Sequence, residues 1–466
     1  MSDTETITAV STPPGEGGIG IIRLSGPESL AIARRVFTAP CPDEEARVRY
    51  LYYGRLIDPA DNTRVDDGFM VYMRAPRSFT GEDVVEFHLH GGTLVLKKTL
   101  EVLLRTGARP AGPGEFTRRA FLNGRLDLAR AEAVIDVIRA QTESALSSAR
   151  GRLDGSLSRR VNEIKEMLLS LLVSTEAGLD FPEEEVEEVP HEDFTGGLEE
   201  AAALLKKLLR THDEGRVLRE GVKVLILGRP NVGKSSLLNI LLKEERAIVT
   251  PVPGTTRDVI EETVSLRGIP ARLMDTAGLR ETADFVESLG VRAARERISE
   301  AGLILFVVDS SAGGFTEDLG LLAPAAGKKV IIVANKDDLG GEKGRSAVTK
   351  AFGGHGGRRV VFISALKEEG IEGLEDAIYE ESTGRPYGVR AEAEPGELVV
   401  SVRHKRLIEE ALEGVDRTRS ALANGMGREF AAADLRYSVD RPGEITGEVT
   451  TEDLLDRIFG EFCIGK

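Results

Sequence analysis

A glycine-rich loop between an apolar stretch and a helical pattern carries residue types that bind phosphate. Residues 228–235 read GRPNVGKS and follow the apolar run 222–227, which has strand composition. Glycines let backbone N–H groups close around an anion, and the positive end of the following helix adds to the attraction. Lys234 would reach the β- and γ-phosphates, and the Ser235 hydroxyl would bind Mg²⁺. The spacing G-x-x-x-x-G-K-S in this context predicts a P-loop that binds a nucleoside triphosphate.

Three further motifs follow apolar runs in the order that a guanine nucleotide site requires. In DTAG, Asp275 can hold Mg²⁺ through water and the Gly278 N–H can meet the γ-phosphate. In NKDD, the Asp338 carboxylate can accept hydrogen bonds from the guanine N1–H and N2–H₂ groups, which adenine cannot offer. In SAL, which begins at Ser364, a backbone N–H can reach the guanine O6. The ordered set at the carboxyl ends of strands predicts guanine as the base.

The segment between the P-loop and DTAG is the expected position of a first switch loop. It reads TPVPGTTRD over residues 250–258, and either of its adjacent threonines could bind Mg²⁺. Ras-type GTPases place a water-orienting Gln after the DxxG glycine, but here that position is Leu279, which cannot orient water. Another group must therefore position the water and supply positive charge. The nearby acidic and basic candidates are Glu281, Asp284, Glu287, Arg257 and Arg280.

The composition restricts the class of protein. A chain of 466 residues is too long for one core, which predicts two to four domains. The net charge of −16 argues against a large electropositive footprint for nucleic acid, so an RNA partner would need a local basic patch or a second protein. Two cysteines fit a reducing cytosol, and no secretory signal or run of 18 apolar residues is seen. We expect a cytoplasmic protein without a membrane span.

Residues 1 to about 120 are rich in glycine, proline and short strand-like runs. The segments 19–24, 65–73 and 83–90 read as strands and 94–104 as a helix, which predicts an α+β domain. His88 and His90 share one face of a predicted strand, where metal binding is conceivable. No third ligand stands at a useful spacing, which favours a structural role for both.

The apolar residues are spaced as in a helix from about residue 121 to 219, and again after about residue 385. Between these blocks, the apolar runs 222–227, 272–274, 303–308, 330–333 and 360–363 alternate with helical segments. This alternation predicts a mostly parallel sheet covered on both faces. The nucleotide domain is therefore expected to be inserted into one helical domain. The acidic run 183–188 is expected to be a solvated loop or helix face.

The motifs as a set resemble those of a known family. GRPNVGKSSLLN, TPVPGTTRD, DTAGLRE and NKDD resemble the TrmE–Era-type bacterial GTPases. TPPGEGGIGIIRLSG, SFTGEDVVEFHLHGG, PGEFTRRAFLNGRLDLARAEAVIDVI and the terminal FCIGK are similar to the MnmE (TrmE) family of tRNA modification GTPases over essentially the whole chain. The resemblance implies a multidomain α/β and α+β fold. Its parts are an N-terminal α+β folate-binding and dimerisation domain (1–120), a discontinuous all-α helical domain (121–219 and 385–466, ending in CIGK) and an inserted Ras-like P-loop G domain (220–384) with a mostly parallel sheet.

The resemblance also implies an activity. A homodimer with K⁺-stimulated GTPase activity is expected to form a heterotetramer with MnmG (GidA), which carries FAD. The two would install an aminomethyl or carboxymethylaminomethyl group at carbon 5 of the wobble uridine in certain tRNAs. The one-carbon unit would come from 5,10-methylenetetrahydrofolate, with 5-formyltetrahydrofolate as a related ligand. The alternative is a GTP-switched ribosome-assembly factor of the same clade, which would need neither folate nor MnmG; the acidic balance and the terminal CIGK count against it.

The resemblance assigns roles within the nucleotide site. K⁺ takes the place of the missing Gln, with ligands at Asn231, Thr250, Val252 and Thr255. Thr256 joins Ser235 on Mg²⁺, and Glu287 positions the attacking water, so that Glu287, Lys234 and Asn231 form the catalytic set. The residues expected to contact GTP are Asn231, Val232, Gly233, Lys234, Ser235, Ser236, Thr250, Pro251, Val252, Pro253, Gly254, Thr255, Thr256, Asp275, Thr276, Ala277, Gly278, Asn335, Lys336, Asp337, Asp338, Ser364, Ala365 and Leu366.

The resemblance places folate contacts near both ends of the chain, at Arg23, Glu82, Arg125 and Lys466. Arg125 stands where the family usually has Lys, which keeps the charge but changes its geometry. Without the resemblance, Arg23 and Glu82 would equally be solvated charges at strand ends. Cys463 matches the family's C-terminal cysteine, and the sequence leaves open whether it is reactive or inert.

Overall fold

The computed structural model describes residues 5–39, 46–180, 190–244, 261–275, 296–353, 358–389 and 393–466. The chain divides into two compact units, which are Met1–Ile135 with Gly443–Lys466, and Asp136–Pro442. None of the described helices combines the length and the apolar character that a membrane span needs. The acidic run 183–188 lies outside the described residues.

The first unit contains a seven-stranded sheet. Its strands are β1 (Ile7–Val10), β2 (Gly17–Ser25), β3 (Phe37–Thr38), β4 (Leu51–Asp58), β5 (Thr63–Met73), β6 (Val84–Gly91) and β7 (Arg109–Pro110). Their order is β3-β4-β5-β6-β2-β1-β7, antiparallel except for the β1–β7 pair. The three strands expected at 19–24, 65–73 and 83–90 are confirmed as β2, β5 and β6.

The second unit contains a six-stranded sheet. Its strands are β8 (Val222–Leu227), β9 (Glu261–Leu266), β10 (Ile269–Asp275), β11 (Leu303–Asp309), β12 (Val330–Asn335) and β13 (Arg359–Phe362). The order is β13-β12-β11-β8-β10-β9, and every pair is parallel except β9–β10. The central strands β11 and β12 are buried along almost their whole length, which explains their continuous apolar runs.

Fifteen α-helices are present in the described residues. They are α1 (Ser29–Val36), α2 (Thr93–Arg105), α3 (Glu115–Leu122), α4 (Leu128–Arg139), α5 (Glu143–Leu153), α6 (Ser156–Asp180), α7 (His191–Arg210), α8 (His212–Glu220), α9 (Lys234–Glu244), α10 (Thr316–Leu322), α11 (Asp337–Phe352), α12 (Ile371–Thr383), α13 (Val402–Ala423), α14 (Arg428–Thr446) and α15 (Glu452–Gly460). Short 3₁₀ turns lie at Ala323–Ala325 and Pro395–Glu397.

Helical packing in each unit follows the spacing of apolar residues. In the first unit, α1 and α2 cover one face of the sheet, with a core that includes Ile22, Phe87 and Leu103. In the second unit, α7 buries a single stripe that runs from Phe194 through Leu198 to Leu205, and it packs against both α6 and α13. Helices from before and after the nucleotide sheet therefore pack together. The expected insertion of the G domain into a discontinuous helical domain is confirmed.

Candidate functional site

The loop between β8 and α9 has the backbone of a phosphate-binding loop. Gly228, Asn231 and Gly233 take positive φ values of 153°, 62° and 100°. A Cβ atom on Gly228 would lie 2.3 Å from the Val307 carbonyl oxygen, and one on Gly233 would lie 2.1 Å from the Asn335 amide nitrogen. Both positions therefore require glycine. The predicted strand–loop–helix is confirmed, and the loop leads into the amino end of α9, where backbone N–H groups can meet an anion.

Lys234 lies across this loop. Its ammonium Nζ donates hydrogen bonds to the carbonyl oxygens of Gly228, at 2.8 Å, and Arg229, at 2.6 Å. Ser235 and Ser236 follow in the first turn of α9, where both are exposed. A cation and exposed hydroxyl groups thus stand together at the amino end of a helix, and a hydroxyl oxygen in this position is a suitable Mg²⁺ ligand. Val232 is buried in the core of the sheet, whereas Asn231 is exposed.

Asn335, the last residue of β12, joins the phosphate side of the site to the base side. Its side-chain Nδ2 donates to the Val232 carbonyl oxygen at 2.8 Å, and its Oδ1 accepts from the Ala365 backbone N–H at 2.9 Å. Asn335 as a whole residue is 2% exposed. Its position between two loops explains why the motif needs an amide, which offers a donor and an acceptor at once.

The base side brings Asp338 and the segment 364–366 together, as expected. Asp338 lies at the start of α11, and its Oδ1 accepts a hydrogen bond from the Ser364 hydroxyl at 2.8 Å. Asp337 points to a different partner, Arg345, whose Nη2 donates to Asp337 Oδ2 at 2.5 Å. Leu366 is 88% exposed, so it offers an apolar surface beside this carboxylate. A fixed carboxylate beside an apolar contact suits the edge and face of a guanine ring.

Asp309 belongs to this side of the site, although no motif in the sequence singles it out. Its Oδ2 accepts a hydrogen bond from Lys336 Nζ at 2.6 Å, and its Oδ1 accepts from the backbone N–H and the hydroxyl of Ser311. Partial burial opposes the ionised form, but these hydrogen bonds outweigh it and lower the pKa of Asp309. Lys336 is held in a left-handed conformation at φ 59°. The feature of the sequence that points to Asp309 is an acidic residue at the end of the apolar run of β11.

Several predicted residues lie outside the described part of the chain. These are Thr250, Pro251, Val252, Pro253, Gly254, Thr255, Thr256, Arg257, Thr276, Ala277, Gly278, Leu279, Arg280, Glu281, Asp284 and Glu287. Asp275 is described through its backbone as the last residue of β10, where it pairs in register with Ile226 of β8. The start of DTAG is thus at the same sheet edge as the P-loop.

In the first unit, Arg23 stands in a cluster of charged and aromatic groups. Its guanidinium lies 2.8 Å from Glu86 Oε1 and above the rings of Phe79 and Phe116, whose centroids are 5.8 and 5.5 Å away. The charge of Arg23 acts on Lys466: partial burial, followed by the charge of Arg23, lowers the pKa of Lys466. The cations of Arg23 and Lys466 and the rings of Phe79 and Phe116 therefore belong to one region of the first unit.

The segment 78–82 carries Glu82 beside this cluster. Glu82 accepts from Arg119 Nη1 at 3.1 Å on Oε1 and 3.0 Å on Oε2, and from the Ser25 hydroxyl at 2.6 Å on Oε2. Because the single Ser25 hydroxyl proton goes to Glu82, the Thr80 hydroxyl must donate to Ser25 Oγ, 2.7 Å away. The Glu82 carboxylate is thus fixed by a guanidinium and a hydroxyl relay.

The remaining two predicted folate residues approach the same segment. The stem of Arg125 lies against Gly81, since a Cβ atom on Gly81 would be 3.3 Å from Arg125 Cγ. The Lys466 carbonyl oxygen accepts from the Phe116 N–H at 3.2 Å, which places the chain end beside one of the rings that Arg23 covers. The structure therefore brings Arg23, Glu82, Arg125 and Lys466 around one region of the first unit. Cationic, anionic and aromatic groups in this arrangement suit an aromatic ligand that has both amide-like donors and carboxylates.

The histidines and Cys463 show no metal chemistry within the described residues. His88 pairs with Glu86 at 3.3 Å and His90 with Asp66 at 2.8 Å, and no group of three potential ligands was found in the described part. Cys463 is an exposed free thiol. Its carbonyl oxygen accepts from the N–H groups of Gly114 and Lys466, which fixes the chain end by its backbone.

Comparisons with known proteins agree along the whole chain. Residues 6–125 match the family model described as the GTP-binding protein TrmE N-terminus, and residues 128–463 match the MnmE helical domain. The tRNA modification GTPase MnmE of Geobacter metallireducens is 48% identical over 463 residues, and that of Carboxydothermus hydrogenoformans is 43% identical over 464; each alignment covers 99% of both chains. A crystal structure of the G domain of the T. maritima FeoB iron transporter is 29% identical, with a TM-score of 0.26, and covers 34% of this chain and 98% of that one. The chain belongs to the MnmE family of tRNA modification GTPases.

Proposed function

We propose that the chain is a K⁺-stimulated GTPase that, with an FAD-carrying partner of the MnmG (GidA) type, modifies carbon 5 of the wobble uridine of certain tRNAs. Full-length similarity to relatives named tRNA modification GTPases carries this proposal. The one-carbon unit comes from 5,10-methylenetetrahydrofolate, and the protein acts in the cytoplasm. Its working division is 1–120 for folate and dimerisation, 121–219 with 385–466 for the helical domain, and 220–384 for GTP.

The described half of the nucleotide site supports GTP as the substrate. Lys234 is held across the P-loop by two carbonyl groups and faces the place where phosphate oxygens bind at a helix terminus. Asp338 presents a carboxylate already oriented by Ser364, so a guanine N1–H and N2–H₂ pair meets a preformed acceptor. An adenine cannot supply those two donors, and the site would leave this carboxylate unpaired.

Two metal ions belong to the proposal. Mg²⁺ would be held by the hydroxyl groups of Ser235 and Thr256 and, through water, by Asp275; Ser235 is exposed in the first turn of α9, which leaves its oxygen available. K⁺ would be held by Asn231, Thr250, Val252 and Thr255, and the exposed position of Asn231 in the P-loop supports this. K⁺ supplies positive charge beside the β- and γ-phosphates. Glu287 is assigned to the attacking water.

The folate site is proposed at Arg23, Glu82, Arg125 and Lys466. Their placement around the segment 78–82 supports it, because Glu82 offers a carboxylate to the pterin N–H groups while the cations suit the glutamate tail.

A homodimer through the first unit is supported by an uncovered apolar face. There Tyr53 and Phe69 pair across β4 and β5 with ring centroids 5.5 Å apart, and they are 62% and 44% exposed.

The test of the cation role is GTP turnover in K⁺ against Na⁺ at equal ionic strength. We expect faster turnover in K⁺, and we expect Asn231→Ala to remove the difference while GDP binding persists. Equal rates in the two salts would refute the K⁺ assignment.

Addition of an MnmG-type protein and tRNA to the same assay tests the partner, since the ribosome-assembly alternative predicts no dependence on either.

A further inference from the structure

Helix α3 presents one polar face to the segment that carries Glu82. Glu115 and Arg119 are spaced four residues apart on one side of the helix, and Asn123 follows at its carboxyl-terminal cap. Arg119 bonds to Glu82, and Asn123 Nδ2 donates to the Thr80 carbonyl oxygen at 2.8 Å. Arg118, the next residue along the chain, instead pairs with Asp456 at 2.7 Å and is more exposed.

The Arg119 guanidinium is the most buried member of this face, with a side chain that is 5% exposed. It spans two carboxylates: Nη1 serves both oxygens of Glu82, and Nη2 donates to Glu115 Oε1 at 3.1 Å. The planar fork of arginine makes both contacts at once, which a lysine ammonium cannot reproduce with the same geometry. Arg119 therefore fixes the direction of Glu82 relative to the helix.

The partners of Glu115 show where the remaining negative charge lies. Glu115 is itself paired with Arg109 at 2.6 Å, and Arg109 also meets Glu5 at 2.9 Å. Burial opposes the ionised form of Glu115, but the hydrogen bonds from Arg109 and the Gly112 N–H lower its pKa. The charged side chains form a series in the order Glu5, Arg109, Glu115, Arg119 and Glu82. Each of the three interior members has a neighbour of opposite sign on both sides, and Glu82 stands at one end.

The hydrogen bonds of Glu82 leave one of its atoms available to a ligand. Oε2 accepts from Ser25 Oγ and from Arg119, while among the described residues Oε1 accepts from Arg119 alone. A carboxylate oxygen has two lone pairs, so Oε1 retains acceptor capacity. The Glu82 side chain is 17% exposed, which gives that oxygen a route to a ligand.

We propose that Arg119 is the positioning residue of the folate site: it acts through Glu82, holding the carboxylate so that Oε1 is aimed at a ring N–H of the bound pterin. This inference rests on the proposed folate function. It extends that function to a residue which, in this structure, reaches the site only through another side chain. The proposed hydrogen bond from the pterin N–H to Glu82 Oε1 is charge-assisted, and its strength depends on its direction. Loss of the Arg119 fork is therefore expected to weaken folate binding about tenfold to a hundredfold.

The experiment is a double-mutant cycle on the full chain, with the dissociation constant of 5-formyltetrahydrofolate measured by calorimetry. The variants are Arg119→Met, Glu82→Gln and the two combined, with Arg118→Met as the matched control on the same helix. We expect Arg119→Met to weaken binding in the wild-type background and to change it by less than about twofold once Glu82 is Gln. Arg118→Met should bind as the wild type does. Equal losses in both backgrounds would show that Arg119 supports the fold generally and would overturn the proposal.

A second variant covers the case in which Arg119→Met does not fold, because that change removes the guanidinium from between two partly buried carboxylates, Glu82 and Glu115. Arg119→Lys keeps the charge and loses the fork; it should retain the wild-type melting temperature and GDP affinity but lose folate affinity. Wild-type affinity in Arg119→Lys would overturn the positioning role. If the wild-type chain itself does not bind 5-formyltetrahydrofolate, the proposed folate site fails instead, and that result is distinct because it needs no variant.

Discussion

Asn335 and Val232 are joined by a hydrogen bond of 2.8 Å from the side-chain Nδ2 to the backbone carbonyl oxygen, although 103 residues separate them in the chain. The same side chain accepts from Ala365 at 2.9 Å. One buried amide thus sets the distance between the phosphate loop and the base loop. The nucleotide site is therefore held together by its own recognition motif.

The first prediction concerns that amide. Asn335→Asp preserves the shape but removes the donor and faces a carboxylate towards the Val232 carbonyl oxygen. We expect GDP affinity, measured with a fluorescent analogue, to fall about tenfold to a hundredfold. Asn239→Asp, the same change at an exposed position of α9, should have little effect. Unchanged affinity in Asn335→Asp would show that the two loops keep their spacing without this bond.

A second prediction concerns the base. Asp338→Asn replaces an acceptor with a group that can donate to a carbonyl at the purine C2 position. Affinity should shift from guanosine towards xanthosine nucleotides, because the C2 substituent changes from a donor to an acceptor. Competition between GTP and XTP measures the shift. Retention of guanine preference would mean that Asp338, although fixed by Ser364, does not contact the base.

A third prediction tests the close packing of the P-loop. Gly233→Ala would place a Cβ atom 2.1 Å from the Asn335 amide nitrogen at a φ of 100°. We expect unfolding of the G domain to become easier by roughly 1–3 kcal/mol, together with loss of nucleotide binding. Gly320→Ala is the matched control, since a Cβ atom there meets nothing within 4 Å. Equal denaturation midpoints for the two variants would contradict the geometry.

A fourth prediction is a pH dependence of stability. His212 is 5% exposed, and its Nδ1 donates to the Val399 carbonyl oxygen at 3.3 Å. Burial, and then the charge of Lys405, lowers the pKa of His212. The unfolded chain therefore takes up the proton at a higher pH than the folded chain does. The contribution of His212 to the free energy of unfolding is fully present above the unfolded pKa of about 6.5. It falls as pH drops below that value, by up to about 1.4 kcal/mol per pH unit.

The check is thermal unfolding of three proteins between pH 7.5 and 5.5. His212→Gln should flatten the dependence relative to the wild type. His191→Gln, at the exposed start of α7, should follow the wild type. Parallel curves for the wild type and His212→Gln would exclude His212 as the source.

The fold and the nucleotide motifs were predictable because both depend on local pattern. Continuous apolar runs gave β11 and β12, and the chemistry at the ends of parallel strands followed from their alignment at one sheet edge. The pair formed by Asp309 and Lys336 could not be found this way, since it depends on how a left-handed residue directs its side chain across to a neighbouring strand. The contact of Arg119 with Glu82 likewise needs the docking of α3 onto a loop, which sequence spacing does not specify.

The most direct test of the account is nucleoside analysis of tRNA from cells that lack this protein. We predict that the wobble-uridine modification at carbon 5 disappears, returns on complementation with the wild-type chain, and does not return with Asp338→Asn. Wobble uridines that remain fully modified in the cells lacking the protein would contradict the proposed function.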